Sequence, residues 1–202
     1  MSKLKVNQVS KTTAGAATFT LPTADGASGQ YIKTDGSGAL SFGTPPDQKI
    51  TNASLWRMTS TFAGSKDPID SDLAEATNVG QGVLGSSMAE SAGVFTFPST
   101  GYWNVTATFT CNRFSGNDPV MGAIKYTANN GTDWSLAVQM YNYLHTAAQM
   151  YGTMSGSGLF DITDTANQKV AFRLSQDTSG NKTSGSATVN YTYFTFVRLA
   201  DT

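Results

Sequence analysis

Near the C-terminus, the run Val189-Asn190-Tyr191-Thr192-Tyr193-Phe194-Thr195-Phe196-Val197-Arg198-Leu199 carries large apolar side chains on two faces at once. Val189, Tyr191, Tyr193 and Val197 fall on one side of an extended chain, Phe194 and Phe196 on the other. β-Branched and aromatic residues suit a strand, and a strand apolar on both faces is buried on both. In an antiparallel sandwich one face meets the chain's own core, so the other is expected to be covered by another subunit. Tyr191, Tyr193, Phe194 and Phe196 are therefore expected to divide between core and subunit interface.

Other segments are apolar on one side only. Trp103, Val105, Ala107, Phe109 and Cys111 alternate with Asn104, Thr106, Thr108 and Thr110. Trp134, Leu136, Val138 and Met140 repeat the pattern, as do Val170, Phe172 and Leu174. A period of two with one apolar face predicts half-buried strands. Ser115-Gly116-Asn117-Asp118-Pro119, Asn129-Asn130-Gly131 and Ser179-Gly180-Asn181 separate them as turns. Many short strands so spaced predict an all-β sandwich or barrel over residues 46–202. Asp70 to Ala76 offers a helical alternative, but its neighbours suit a loop. Thr (28), Ser (21) and Gly (20) make up about a third of the 202 residues, which fits strands and tight turns.

Residues 1–45 differ in texture. Leu4, Val6, Val9, Phe19, Leu21, Tyr31, Ile32, Leu40 and Phe42 are scattered through them. So little apolar mass cannot offset the entropy of ordering the segment on its own. Gln30-Tyr31-Ile32-Lys33 and Ala39-Leu40-Ser41-Phe42 read as short strands, with Asp25-Gly26 and Asp35-Gly36-Ser37-Gly38 as turns. Pro45-Pro46 ends the segment with a stiff, extended joint. Such a segment is expected to lean on another copy of the chain or on a larger assembly.

Charge excludes several classes of function. Only 13% of residues are charged, against a usual ~25%, and the net charge is −1. No basic patch is present to grip nucleic acid. One cysteine, Cys111, excludes an intramolecular disulfide framework and a multi-cysteine zinc site, and on an apolar strand face it reads as a small buried hydrophobe. No apolar run follows the lysines of the N-terminus, so it is not expected to be a secretory signal. No stretch approaches the length of a membrane span. Production in a cytoplasm and no membrane insertion are expected.

Two resemblances sharpen this reading. Gly93-Val94-Phe95-Thr96-Phe97-Pro98-Ser99-Thr100-Gly101-Tyr102-Trp103-Asn104-Val105 resembles the strand–Pro–x–x–Gly–Tyr–strand signature shared by the globular heads of the first complement component and by tumour necrosis factor. Leu159-Phe160-Asp161-Ile162, then Gln168-Lys169-Val170-Ala171-Phe172-Arg173-Leu174, is similar to that family's penultimate pair of strands. Val189 to Asp201 is similar to its closing strand. The resemblance implies an antiparallel jelly-roll β-sandwich that trimerises about its closing strands. Ala166-Asn167-Gln168 replaces the usual Gly-Asp, so it carries no calcium site across. In the N-terminal part, Phe19 to Gly26 and Gly29 to Gly43 resemble a segment common in tailed-phage fibres and other virion appendages. That implies an extended virion-binding arm, with Leu4, Val6, Val9, Phe19 and Leu21 as anchors on capsid, neck or tail proteins.

Candidate chemistry is sparse. His145 has no nucleophile motif beside it and reads as a loop residue. Asp161, Asp164 and Asp177 could ligate calcium from loops, but their spacing suits turns better. Five Asn-x-Ser/Thr sequons, at Asn52, Asn104, Asn130, Asn181 and Asn190, follow from the abundance of Asn and Thr. Tyr126, Trp134, Tyr141, Tyr143 and Tyr151 could stack on sugar rings, and about half of them are expected in core or interface. Tyr141, Tyr143 and His145 are the candidate receptor contacts. Acidic residues are too dispersed for a glycan depolymerase. The expectation is a non-enzymatic virion protein without cofactor: a homotrimeric tail or head fibre or spike that binds a host-surface glycan. The alternatives are a capsid decoration protein and a stand-alone carbohydrate- or receptor-binding module.

Overall fold

The computed structural model describes residues 6–10, 18–45, 50–78, 80–113, 119–143, 150–176 and 181–202. Leu4, Pro46, His145, Asp177 and most of the 115–119 and 179–181 turns lie outside them. All regular structure among the described residues is β. The chain divides into two compact units, 1–48 and 49–202.

The first unit consists of two hairpins. Strand β1 (Gln8–Ser10) pairs antiparallel with β2 (Thr18–Thr20), and β3 (Tyr31–Thr34) with β4 (Leu40–Gly43). The β3–β4 turn shows why the sequence reads Asp-Gly-Ser-Gly. Asp35 Oδ1 accepts the amides of Ser37 (2.8 Å) and Ala39 (3.0 Å), and Gly36 and Gly38 take φ of +83° and +98°, which glycine adopts without strain. The Ser37 amide, with others of the turn, holds the Asp35 carboxyl below its usual range. Thr20 joins the hairpins, donating its N–H to Gly38 O at 2.8 Å.

The second unit is a two-sheet sandwich. Its strands are β5 (Ala53–Met58), β6 (Phe62–Ala63), β7 (Leu73–Glu75), β8 (Ala89–Ser91), β9 (Val94–Thr96), β10 (Gly101–Arg113), β11 (Val120–Thr127), β12 (Ser135–Asn142), β13 (Met150–Ile162), β14 (Lys169–Ser175), β15 (Lys182–Thr183) and β16 (Tyr193–Ala200). In the first sheet β13 runs the whole length of one side of β10. On the other side β10 meets β16 and then β15; β16 continues to β5 and β7, and β15 to β6. The second sheet runs β12-β11-β14-β9-β8. All ladders are antiparallel.

The core lies between these sheets. Trp103, Val105, Ala107, Phe109 and Cys111 all point into it, as do Val170, Phe172 and Leu174. The Phe172 and Phe194 rings stack with centroids 3.6 Å apart, and Phe95 meets Phe172 edge-on at 5.4 Å. Gly122 lies against Phe109, where a Cβ would sit 2.7 Å from the ring. The Pro-x-x-Gly-Tyr motif also has a local cause. Gly101 takes φ +135°, and a Cβ there would meet Ala200 O at 2.5 Å. Trp103 Nε1 donates back to Ser99 O at 3.1 Å, which closes the corner.

Three expectations need correction. Residues 70–76 hold neither a helix nor a plain loop, because Leu73–Glu75 pairs with Trp56–Met58 as a strand. The closing strand begins at Tyr193 rather than Val189, and residues 189–192 bend. Leu136 does not share the inward face of Val138 and Met140. A register shift between Ile124 and Lys125 turns it outward, opposite Lys125.

Candidate functional site

Of the four residues expected to divide between core and subunit interface, Phe194 and Phe196 are fully buried within a single protomer and belong to its core. The cause is the register. Val105 and Ala107 lie opposite Phe196 and Phe194, and both point inward. The other side of the first sheet faces away from the core and carries the remaining candidates. Across it run Leu159–Asn104–Val197, Ser157–Thr106–Thr195 and Ser155–Thr108–Tyr193.

The middle of this face is a hydroxyl ladder. Thr108 Oγ1 and Ser155 Oγ are 3.0 Å apart, and Thr110 Oγ1 and Thr153 Oγ1 3.1 Å. The ends are apolar. Leu159 is exposed at one end and Tyr151 at the other, with Tyr191 also exposed. Tyr151, Tyr191, Thr61, Thr110, Ser184 and Gly185 line a hollow of about 350 Å³. Thr110 Oγ1 donates to Tyr191 O at 2.8 Å and fixes the backbone there. The ladder itself is neutral and offers hydrogen-bonding hydroxyls beside aromatic area; charge sits at the two ends of the face, with Asp161 opposite Tyr102 and Lys182 opposite Asn112.

Sequence reasoning missed Tyr151 and Leu159 as members of this face, and also missed Arg57. Arg57 lies on the same side of β5, opposite Tyr193, and is fully buried. Its Nη2 donates to Asn78 Oδ1 (2.7 Å) and Gln81 Oε1 (2.6 Å), and Nη1 to Ala187 O (3.3 Å). These loop contacts cover one flank of the face and leave the β13–β10–β16 region open.

Of the five aromatics considered for sugar stacking, Tyr126 packs against the core, with its ring 5.7 Å from Phe160. Its hydroxyl accepts Gln168 Nε2 at 2.7 Å. Trp134 is half-buried, with Lys125 Nζ 5.5 Å from its ring centre. Tyr141, Tyr143 and Tyr151 are strongly exposed. Tyr141 and Tyr143 lie on and just beyond the end of β12, where Asn142 Nδ2 donates to Thr153 O of β13 at 3.3 Å, and His145 falls outside the described residues.

Asp164 works within a turn. Its Oδ1 accepts the Ala166 amide at 2.9 Å and its Oδ2 the Asn167 side-chain amide at 2.7 Å. The Asn167 bond holds its carboxyl below the usual range. Among the described residues, no three His, Cys, Asp or Glu side chains come together. Cys111 is buried, which pushes its thiol up to about 11.

In the first unit, Val6, Val9 and Phe19 are exposed and Leu21 is half-buried. Leu21 lines an open groove of about 440 Å³ with Pro22, Leu40 and Phe42.

No protein-family model matches the sequence, and no curated protein matches it. Solved structures do. A crystal structure of murine APRIL covers 73% of this chain and 98% of its own, with TM-score 0.52 and 7% identity. The Eiger TNF structure from S. frugiperda covers 76% of this chain and 96% of its own, with TM-score 0.57 and 13% identity. The chain has a TNF-like jelly-roll fold. At such identities the likeness shows the fold alone.

Proposed function

We propose that this chain is a homotrimeric virion appendage, a fibre or spike of a tailed phage. Residues 1–45 would anchor it and the jelly roll would project outward. The observation that carries this is an uncovered sheet face on a TNF-like sandwich: Tyr151, Leu159 and Tyr191 exposed around a neutral hydroxyl ladder. A face of that kind suits burial against identical subunits, since aromatic residues dominate such interfaces and its middle is neutral, with Asp161 and Lys182 held at its opposite ends. Tyr191 and Tyr193 keep the interface role expected of them, joined by Tyr151 and Leu159. The phage origin rests on the wording of residues 19–43, which resembles virion-appendage segments.

Tyr141 and Tyr143 supply the outward contact. Two exposed phenol rings within three residues of chain suit stacking on the rings of a host-surface glycan. Val6, Val9, Phe19 and Leu21, with Leu4, are proposed to hold the arm on a capsid, neck or tail protein. Three arms on one head gain avidity, because each arm after the first binds at high effective concentration.

Deletion of residues 1–22 tests this reading. The truncated protein should stay folded and trimeric and be lost from purified particles. Normal occupancy on particles would remove the anchor from this segment. Immunogold labelling of particles then separates fibre from decoration: label on tail or vertices supports an appendage, and even label over the capsid supports a decoration protein.

A further inference from the structure

We infer that residues 6–10 and 18–43 form an amphipathic single β-layer whose apolar face is closed by the same face of the other two copies; this inference rests on the trimer reading above. The register supplies the argument. Val9 lies opposite Phe19 across β1–β2, so both project to one side. The parallel bridge between Thr20 and Ala39 sets Thr20 and Ala39 on a common side. Their neighbours Phe19, Leu21 and Leu40 therefore share the other side, because side chains alternate along a strand. Ile32 lies opposite Phe42, two residues on from Leu40, and joins them. Val9, Phe19, Leu21, Ile32, Leu40 and Phe42 thus form one face. The opposite face carries Gln8, Thr18, Thr20, Tyr31, Lys33 and Ser41.

A one-layer sheet with an apolar face must bury it against a second layer. Among the described residues of its own unit no second layer covers it: Val9, Phe19 and Ile32 are 51%, 39% and 56% exposed, and the groove beside Leu21, Leu40 and Phe42 is open. Gly26 already sits under Phe42, where a Cβ would come within 2.5 Å of the ring, so the ring cannot fold down to close the groove. The six side chains of the face are all uncharged, and Lys33 projects to the other side. Asp25 lines the groove beside Leu21 and Phe42 but is itself exposed, so the six apolar side chains of each copy can meet while its carboxylate stays in water. A trimeric head keeps three copies of the layer at high effective concentration, and three identical faces close around one axis. This moves Val9, Phe19 and Leu21 from the anchor proposed above to contacts between copies, and narrows that anchor to Leu4 and Val6.

The test uses the full chain with one added thiol. Ile32→Cys places it on the apolar face and Tyr31→Cys on the opposite face; both residues are exposed, so neither change disturbs the fold. Cys111, 1% exposed, stays out of the reaction. Under mild oxidation Ile32→Cys should give covalent dimers in up to two chains of each three, because disulfides join thiols in pairs. Tyr31→Cys should give roughly tenfold less, since its thiols do not share the effective concentration at the axis. A trimer by sedimentation in which Ile32→Cys does not link, or links no better than Tyr31→Cys, would overturn this inference and leave the trimer standing. An Ile32→Cys thiol that is reactive in the free trimer and shielded on particles would overturn it in favour of a virion protein on this face. A monomer by sedimentation would overturn the trimer reading and this inference with it.

Discussion

The two units, the sandwich of residues 49–202 and the strand pairs β1–β2 and β3–β4, are both built from antiparallel ladders, yet they differ in what each strand pair leans on. In the sandwich, Trp103, Val105, Ala107, Phe109 and Cys111 of β10 are all buried in one core, where Phe95, Phe109, Phe172, Phe194 and Phe196 join in one aromatic cluster. In the first unit the backbone bonds are as regular, with Thr20 to Gly38 at 2.8 Å, but the apolar side chains lie open. Hydrogen bonding sets the shape of both, and burial distinguishes the one that can stand alone. Each net hydrogen bond contributes only about 0.5–1.5 kcal/mol, whereas burying one large apolar side chain contributes about 1.5–3 kcal/mol.

The comparison breaks most sharply at the core. Phe194→Asp would set an unpaired charge among aromatic rings and should leave the head unfolded by circular dichroism, since a buried charge has no compensating partner there. Phe109→Ala should cost ~3–5 kcal/mol in urea unfolding through the cavity it leaves. An unchanged midpoint would refute the two-sheet packing.

On the outward face the expected effect is different in kind. Leu159→Asp should dissociate the assembly while near-ultraviolet circular dichroism stays that of a folded head, because Leu159 is exposed in the protomer. Unfolding of that variant would instead make Leu159 part of the protomer's own core. In the first unit, Ile32→Asp should leave the melting of the head unchanged and speed protease cleavage within residues 6–43. No change in cleavage would show that this layer needs no covering.

The smallest effect concerns the Asp35 turn. Its carboxyl lies below the ordinary 3.8 because it accepts the Ser37 and Ala39 amides. A depressed value means the turn gains stability above pH 3.8, and that gain is lost as pH falls through the lower folded value. The Ser37 and Ala39 amide proton shifts should titrate with a midpoint below 3.8, and Asp35→Asn should abolish the titration. A midpoint at or above 3.8 would contradict the turn geometry.

Legibility in the sequence followed the same division. Strand β10 could be read from Trp103 to Cys111 because large apolar residues fill each inward position. Strand β13 could not. Its inward positions include Gly156 and Gly158, placed where a Cβ would come within 2.8 Å of Met140 and 2.9 Å of Phe160. With glycine inside and Tyr151 and Leu159 outside, the apolar signal inverts. The alternation of residues 193–197 was visible, but which face the protomer itself buries depends on strand neighbours 90 residues away. Arg57 shows no local signal either, because its partners are Asn78, Gln81 and Ala187, all distant in sequence. The one-sided layer of the first unit needed the Thr20–Ala39 bridge, a pairing between hairpins that spacing does not reveal.

The claim on which the rest depends is that three copies cover the outward face of the first sheet. Sedimentation velocity on the full chain at micromolar concentration measures this directly. The account predicts a single species of three chains, which Leu159→Asp converts to a folded monomer. A wild-type chain that sediments as a folded monomer would contradict it.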